Sequence, residues 1–284
     1  MGIFAFVKEA GEKLWDTLTG HEAQAAESLK EHVAKAGLGN PNIQVSVEGD
    51  KVIASGEVAS QEEKEKILLA LDATDETVRM AVEKEADLLI THHPLIFSPV
   101  RRVTDEDLIG RRLITLIQHD ISYYAMHTNY DTRGMADLAA GLLKLDECTV
   151  LEEVRDGEGI GRVGVLPGRM TLEECAGLVK EAYDIPNVRL FGPPDAQVRL
   201  AAVCPGAGKS TVKEALRFGC DVYITGDIDH HTGIDAVDQG LCIIDAGHYG
   251  IEHIFMKDIR DYLEKVLTGV RMECVPVKHP FTVV

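Results

Sequence analysis

The chain has 284 residues, of which 45% are hydrophobic and 27% are charged, and its formal net charge is −18. This length and composition are typical of a globular protein with a sizeable core and more than one domain or lobe. The acidic balance argues against a nucleic-acid partner, which would require a basic surface, and against binding to an anionic membrane. No apolar run reaches the length needed to span a membrane.

Residues 1–65 differ in character from the rest and are predicted to form a small α+β segment. Helical periodicity extends through about 22–36, and NIQVSVEGDKVIASGEVAS then alternates with period two around Glu48-Gly49-Asp50, which predicts a β-hairpin. The opening MGIFAFVKEAGEKLW is amphipathic but lacks the continuous apolar core of a signal peptide. The six cysteines include no C-x-x-C pair, which favours free thiols in a reducing cytoplasm.

From Lys66 onward, predicted strands and helices alternate, which is typical of mostly parallel sheets flanked by helices. The first strand follows Ser60-Gln61-Glu62-Glu63, a capping-box helix start, so we predict a helix over 60–65 and a buried strand over 66–72. The later strands are DLLIT, ISYYAMHT, RLAAVC, DVYITGD and LCIIDAG, and the helices are DETVRMAVEKEA, LIGRRLITLIQHD, TVKEALRFG, IDAVDQG and IFMKDIRDYLEKVL.

The predicted fold class is α/β, with two lobes after the small N-terminal segment. The glycine-rich stretch 157–169 is predicted to mark a boundary between the lobes. We therefore divide the chain into residues 1–65, a first lobe over 66–150, and a second α/β lobe over 151–284.

Three short strings, each directly after a predicted buried strand, carry residues that bind metals. They are Thr91-His92-His93-Pro94, His127-Thr128-Asn129-Tyr130-Asp131 and Gly247-His248-Tyr249-Gly250-Ile251-Glu252. Functional side chains of an open α/β sheet collect at such strand ends. Each string alone has an ordinary explanation: a solvated histidine pair, a turn aspartate, or an exposed i,i+4 pair on a helix. Taken together, they predict one metal site.

The chemistry of these side chains suits a pair of divalent cations. Imidazole nitrogens and carboxylate oxygens are common ligands of zinc, iron and manganese. A carboxylate can bridge two ions, a role that suits Asp131 and Glu252, and the histidines suit terminal positions. Two ions about 3.5–4 Å apart can activate a water and polarise a substrate oxygen. Residues that could support the ligands or take part in acid–base chemistry are His127, Asp227, His230 and His231.

The string Cys204-Pro205-Gly206-Ala207-Gly208-Lys209-Ser210-Thr211 is similar to a nucleotide-binding loop after a strand. The Walker pattern requires a glycine five residues before Gly208, where this chain has Val203. Nucleotide hydrolysis by this loop is therefore not expected, although its glycines and Lys209 could hold a substrate phosphate.

Six strings between about Lys66 and Val284 resemble the Nif-three-like family, whose members include GTP cyclohydrolase I type 2 homologues. The strings are LLALDAT, ADLLITHHPLIF, HTNYD, GIGRVGVL, DVYITGDIDHH and LCIIDAGHY. The resemblance implies metal ligation by His92, His93, Asp131, His248 and Glu252. It also implies a two-lobed α/β protomer, a hexameric ring and a small-molecule substrate such as a nucleotide or phosphoester.

The segment before Lys66 resembles the BON domain of bacterial potassium-binding and osmotic-stress proteins. The matching pattern is V-x-V-E-G-x-x-V-x-x-S-G-E-V-x-S-x-E-E after an acidic helix. The chain is therefore similar to a fusion of two families, and the BON-like segment replaces the Trp-Asp-Asn-x-Gly-like segment that precedes LLALDAT in the Nif-three-like family. A second departure is Gly250-Ile251, where that family has Glu-Ser.

Three functions are compatible with these patterns. The first is a cytoplasmic dinuclear-metal hydrolase that uses a metal-activated water on a nucleotide or phosphoester. The second is a non-catalytic metal-binding or regulatory scaffold. The third is a stress-linked cation-binding module in which the BON-like segment is the functional part.

Overall fold

The computed structural model describes residues 44–48, 51–55 and 65–282. Strands β1 (Gln44–Glu48) and β2 (Lys51–Ser55) pair antiparallel with Glu48 opposite Lys51, which confirms the strands of the predicted hairpin. The helix predicted over 22–36 and residues 60–64 of the helix predicted over 60–65 lie outside the described residues, and Glu65 is not helical.

The described residues form two compact units. Unit one comprises those up to Ala125 together with Ile259–Val275, and unit two comprises Met126–Asp258 together with those from Pro276. The predicted division into residues 1–65, 66–150 and 151–284 stays a prediction.

The sheet of unit one has four parallel strands in the order β12-β3-β4-β5. Leu68, Val78, Leu89 and Leu116 share its apolar core, which explains why the two central strands, KILLA and LLIT, are mainly apolar. The strand predicted over 66–72 is confirmed over 66–70. The elements are β3 (Lys66–Ala70), α1 (Asp75–Glu83), β4 (Leu88–Thr91), α2 (Leu108–Gln118), β5 (Ser122–Ala125) and β12 (Arg271–Cys274).

The sheet of unit two has six strands in the order β6-β7-β9-β10-β11-β8. Strands β9, β10 and β11 are parallel, and the outer strands pair antiparallel. Tyr223 and Ile224 of β10 belong to different apolar cores, so both faces of this sheet are covered. The strands are β6 (Asp146–Arg155), β7 (Glu158–Thr171), β8 (Arg189–Phe191), β9 (Gln197–Ala207), β10 (Val222–Gly226) and β11 (Cys242–Asp245).

The helices of unit two are mostly short. They are α3 (Thr128–Tyr130), a π-helical turn (Asp131–Met135), α4 (Ala136–Leu142), α5 (Leu172–Ala182), a 3-10 turn (Gly208–Thr211), α6 (Val212–Arg217), α7 (His230–Asp238), α8 (His248–Glu252) and α9 (Ile254–Val266). The residues of α9 from Ile259 onward belong to unit one.

Side-chain caps fix where four of the longer helices begin. Thr74, Asp107, Thr171 and Asp229 each accept a hydrogen bond from a backbone N–H in the first turn. Asp229 places the start of α7 at His230, four residues earlier than the predicted helix IDAVDQG, so His230 and His231 are helical.

The predicted α/β class is confirmed by one parallel sheet and one mixed sheet, both accompanied by helices. The glycine-rich stretch 157–169 forms most of β7, which pairs with β6 and β9. All six cysteines are free thiols, as predicted. Within the described part of the chain, no helix combines the length and the apolarity needed to cross a bilayer.

Candidate metal centre

In unit one, the histidine pair lies directly after β4. The strand ends at Thr91, and the backbone N–H of His93, two residues further on, donates to the carbonyl of Leu71 at 3.0 Å. His92 is fully buried and His93 is half-buried, with their ring centroids 4.9 Å apart. One ring nitrogen of each lies within 4.8 Å of the other. The end of the strand thus lets two adjacent histidines present nitrogens to the same region.

Hydroxyl groups fix the backbone of this turn. Thr91 Oγ1 donates to the carbonyl oxygen of His93 at 2.7 Å, and the Tyr123 hydroxyl donates to the same oxygen at 3.0 Å. The backbone N–H of Leu95 donates to the Tyr123 hydroxyl at 2.8 Å. These bonds hold the histidine pair through β4 and its neighbour β5.

A carboxylate orients His93. Its Nδ1 lies 2.8 Å from Oδ1 of Asp72, which follows β3. A metal-binding histidine commonly donates one ring N–H to a carboxylate, because this fixes the tautomer and leaves the other nitrogen to bind. Asp72 is absent from the residues predicted above. The signal that could have found it is the acid at the end of the buried strand KILLALD, beside the strand that leads to His92.

In unit two, α8 carries a histidine and a glutamate on one face. His248 Nε2 lies 3.0 Å from Glu252 Oε2, which confirms that this i,i+4 pair shares a face of a helix. The side chain of Glu252 is only 5% exposed. Asp131, at the start of the π-helical turn, has a carboxylate oxygen within 4.8 Å of a carboxylate oxygen of Glu252. Unit two therefore brings one imidazole and two carboxylates together.

Asp227 orients His248 as Asp72 orients His93. His248 Nδ1 lies 3.0 Å from Asp227 Oδ2. The φ of Asp227 is 53°, in the left-handed region, so the chain turns sharply after β10 to present this carboxylate. This contact is compatible with the supporting role predicted for Asp227, which stays a prediction.

Buried Asp245 holds the two loops that carry these residues. It accepts hydrogen bonds from the backbone N–H groups of Ile228 at 3.0 Å and Gly247 at 2.9 Å. Arg189 pairs with the same carboxylate. One buried carboxylate at the end of β11 therefore links the loop after Asp227 to the residue before His248.

Glycine allows the close approach of Glu252 to β9. Gly206 has a φ of +80°, and a Cβ at this position would lie 2.5 Å from Glu252 Oε1. Cys204, two residues earlier, is buried, and burial raises the pKa of its thiol to about 11. The negative charges of Asp131 and Glu252 add to this increase, which agrees with an anionic environment at the end of β9.

The remaining predicted site residues are His127, His230 and His231. His127 is half-buried, and its Nδ1 lies 3.2 Å from the Thr128 hydroxyl. His230 and His231 are exposed at the start of α7, with ring centroids 5.2 Å apart. In the loop similar to a nucleotide-binding loop, Lys209 Nζ lies 2.8 Å from Asp229. No contact recorded for His230 or His231 within the described residues reaches His248 or Glu252.

The donor set fits divalent transition metals. Unit one offers two imidazoles, one of them oriented by a carboxylate, and unit two offers one oriented imidazole and two carboxylates. Neutral nitrogen and anionic oxygen donors suit zinc, iron and manganese. Both units thus contain candidate metal-ligand groups of histidine and carboxylate side chains.

The fold and these groups define the chain as an α/β protein with candidate metal-binding histidines and carboxylates. Comparison with family models is more specific. The chain belongs to the Duf34/NIF3 (NGG1p interacting factor 3) family, whose model matches residues 54–280. A BON domain model matches residues 21–79. Both predicted resemblances are confirmed, and the two matches overlap over 54–79.

Curated relatives and a solved structure agree with this assignment. A Streptococcus pneumoniae protein named GTP cyclohydrolase 1 type 2 homolog is 39% identical over 207 residues, which are 71% of this chain and 77% of the relative. A Lactococcus lactis protein of the same name is 34% identical, with coverage of 84% and 93%. The crystal structure of a Bacillus cereus protein related to NIF3 has the same fold, with a TM-score of 0.71, 23% identity and coverage of 86% and 92%.

Proposed function

We propose that this chain binds two divalent metal ions through His92, His93, Asp131, His248 and Glu252. The observation that carries the proposal is the same arrangement in both units: a histidine whose Nδ1 is paired with a carboxylate, His93 with Asp72 and His248 with Asp227. A surface histidine has no need of such a partner, whereas a metal ligand gains a fixed tautomer from it. The ions would be zinc, iron or manganese.

The side chains of the site have separate roles in this proposal. Asp72 and Asp227 accept from Nδ1 of His93 and His248, which fixes the orientation of each ring and leaves Nε2 as the nitrogen that would bind a metal. Asp131 and Glu252 supply the negative charge that offsets two cations, and burial of Glu252 strengthens its attraction for them. Bound divalent ions of this kind lower the pKa of water and polarise a substrate oxygen.

The proposed reaction is hydrolysis of a small molecule, a nucleotide or another phosphoester, in the cytoplasm. The support for GTP as a substrate is the name of the relatives, GTP cyclohydrolase 1 type 2 homolog. We also propose that the chain assembles as a homo-oligomer, with the hexamer implied by the family resemblance as the expected form. Light scattering of the purified protein measures this mass directly.

The first experiment measures metal content and turnover on one purified sample. Elemental analysis is expected to give about two zinc, iron or manganese ions per chain. Turnover of GTP and a panel of phosphoesters is then compared between the native chain, His248→Ala and Glu252→Gln. Both variants are expected to lose metal and to lose at least about a hundredfold in turnover.

Matched controls are available in the same chain. His119→Ala removes an exposed histidine that bonds to the carbonyl of Thr115 in its own helix, and Glu264→Gln removes an exposed glutamate of α9. Both are expected to retain metal and turnover. A chain that holds two ions but turns over no substrate would instead be the non-catalytic scaffold. A chain without metal that is stabilised by potassium would favour the BON-type cation-binding module.

A further inference from the structure

A cavity of about 440 Å³ lies in unit two beside α8. Tyr249 and Gly250 line it, whereas His248 and Glu252 do not. On a helix, residues four apart share a face, and the residue midway between them points to the opposite side. The cavity and the His248–Glu252 pair therefore occupy different faces of α8. The volume falls within the range of about 300–1,000 Å³ typical of small-molecule sites.

Aromatic rings form much of the cavity wall. Tyr249 and His279 are in edge contact, with ring centroids 5.6 Å apart. The ring of Phe281 covers the backbone of Gly247, where an added Cβ would lie 3.7 Å from its Cζ. Phe281 is nevertheless 62% exposed, which is unusual for a large apolar ring. An exposed ring at the mouth of a cavity offers a face on which a flat ligand can stack.

The Tyr249 ring is held in place by the protein itself. Its hydroxyl accepts a hydrogen bond from the backbone N–H of Lys278 at 3.1 Å. The ring of His253 also stacks against it, with centroids 6.1 Å apart. His253 Nε2 in turn lies 2.8 Å from the carbonyl oxygen of Tyr183. The cavity is thus formed in advance, which reduces the entropy cost of binding.

The cavity wall has few side chains that carry polar groups. Among the described residues that line the cavity there is no aspartate, glutamate, lysine or arginine. Asn187 contributes an amide, which both donates and accepts hydrogen bonds, and His279 contributes a ring nitrogen. The chain has a net charge of −18, which disfavours an anionic ligand where no cation binds it. The wall therefore suits a neutral ligand with heteroatoms at its edge.

We propose that this cavity binds a neutral planar heteroaromatic ring, such as the base of a nucleoside, stacked between Tyr249 and Phe281. Stacking on an aromatic side chain accepts any base, and the Asn187 amide can bond to ring heteroatoms. Ile185 and Pro186 supply apolar contact for the rest of the ring. The site goes beyond the proposed metal function, because none of the proposed metal ligands lines the cavity.

The test uses the full chain and calorimetric titration with adenosine, guanosine, cytidine and uridine, with ribose as the probe that lacks a ring base. Saturable binding of at least one nucleoside and no binding of ribose are expected. Phe281→Ala and Tyr249→Leu are each expected to weaken binding by about tenfold or more. Phe218→Ala is the matched control, because Phe218 is also an exposed phenylalanine of unit two and does not line the cavity.

Three outcomes would overturn the proposal: no saturable binding of any nucleoside, equal binding of ribose, or unchanged binding in both Phe281→Ala and Asn187→Ala. Retained binding in Phe281→Ala with loss in Glu252→Gln would overturn it too, because the ring would then contact the metal ligands. The metal content of the same samples is measured separately, so failure of the metal proposal and failure of this one are distinguishable.

Discussion

Gly206 sets how closely the Glu252 carboxylate can approach the end of β9. Many glycines of this chain have positive φ, but at Gly206 a side chain would also collide with a proposed metal ligand. At Gly219, which has a φ of +68°, a Cβ would meet nothing within 4 Å. Substitutions at these two glycines can therefore be compared to separate the effect of backbone strain from the effect of displacing the Glu252 carboxylate.

Gly206→Ala and Gly219→Ala are therefore expected to differ in metal binding. Both should lose about 1–2 kcal/mol of unfolding free energy, because alanine is strained in the left-handed region. Only Gly206→Ala should also push the Glu252 carboxylate aside, and we expect it to lose about tenfold or more in metal affinity. Competition with a chelating dye measures the affinity. Equal affinities in the two variants would contradict the assigned role of Glu252.

Four of the proposed metal ligands share a property that made them recognisable as candidates in the sequence. His92, His93, His248 and Glu252 each follow a strand whose apolar run is recognisable locally, and Glu252 has its partner one helical turn away. Asp72 is different, because its role depends on β3 lying beside β4 in the sheet. Strand order is a property of the whole fold. The acid at the end of KILLALD can be read from the sequence, but the position of this strand beside β4 cannot.

At the scale of elements, α1 and α2 are linked by charged side chains. Arg112 Nε donates to Asp75 Oδ1 at 2.7 Å, and Arg111 lies 3.4 Å from the same carboxylate. The hydrogen bond from Arg112, followed by its charge, holds the pKa of Asp75 below its ordinary value of 3.8. Asp75 is also the first residue of α1, where a negative charge favours the helix dipole.

This lowered pKa predicts a pH dependence of stability with a definite sign. The unfolded chain binds the proton of Asp75 more readily than the folded chain does. The interaction of Asp75 with Arg112 therefore adds to the free energy of unfolding above the ordinary pKa of the carboxyl. This stabilisation is lost as the pH falls through the lower pKa of the folded state. Asp75→Asn should lower the urea midpoint at about pH 7, and the difference should shrink towards about pH 3. Urea unfolding monitored by circular dichroism across this range provides the measurement.

Asp105→Asn, at an exposed position before α2, serves as the comparison for this pH series. Its midpoint should follow that of the native chain. A constant difference between Asp75→Asn and the native chain from neutral to acidic pH would contradict the ion pair as the cause.

Strand β7 shows where local composition misleads. Its glycines favour a loop by propensity, yet Gly159 and Gly164 are needed for close packing in the sheet. A Cβ at Gly159 would lie 2.1 Å from the carbonyl oxygen of Glu152, and one at Gly164 would lie 2.8 Å from that of Asp146. Both oxygens belong to the neighbouring strand β6. Gly159 and Gly164 are therefore explained by close contact with the neighbouring strand, which local composition does not show. Strands β9, β10 and β11, in contrast, are recognisable from their own apolar runs.

At the scale of the whole molecule, the matches to two families meet within one stretch of chain. The BON model extends to residue 79 and the Duf34/NIF3 model begins at 54, so β3 falls within both. In the fold, β3 pairs in parallel with β4 and β12. Within the stretch that both family models match, β3 is therefore part of the parallel sheet of unit one. This agrees with the buried parallel strand predicted over 66–72.

Metal binding should be visible as global stability. A ligand that binds only the folded chain, at a hundred times its Kd, adds about 2.7 kcal/mol to the unfolding free energy. We expect chelator-treated protein to melt at a lower temperature and to recover when zinc or manganese is added back. Differential scanning calorimetry measures this change. Glu252→Gln should show little response to the added ion, and an equal response in that variant would argue for binding elsewhere.

Among the strands that the structure describes, β6 is at the border of the six-stranded sheet and has β7 as its neighbour. An open sheet edge is a template on which another molecule can add a strand. Here the edge carries Asp146, Glu147, Glu152 and Glu153 along ten residues, and all but Glu152 are exposed. Two such edges brought together would repel each other and would have to shed tightly bound water from several carboxylates. The acidic border of this sheet thus disfavours edge-to-edge pairing between folded chains.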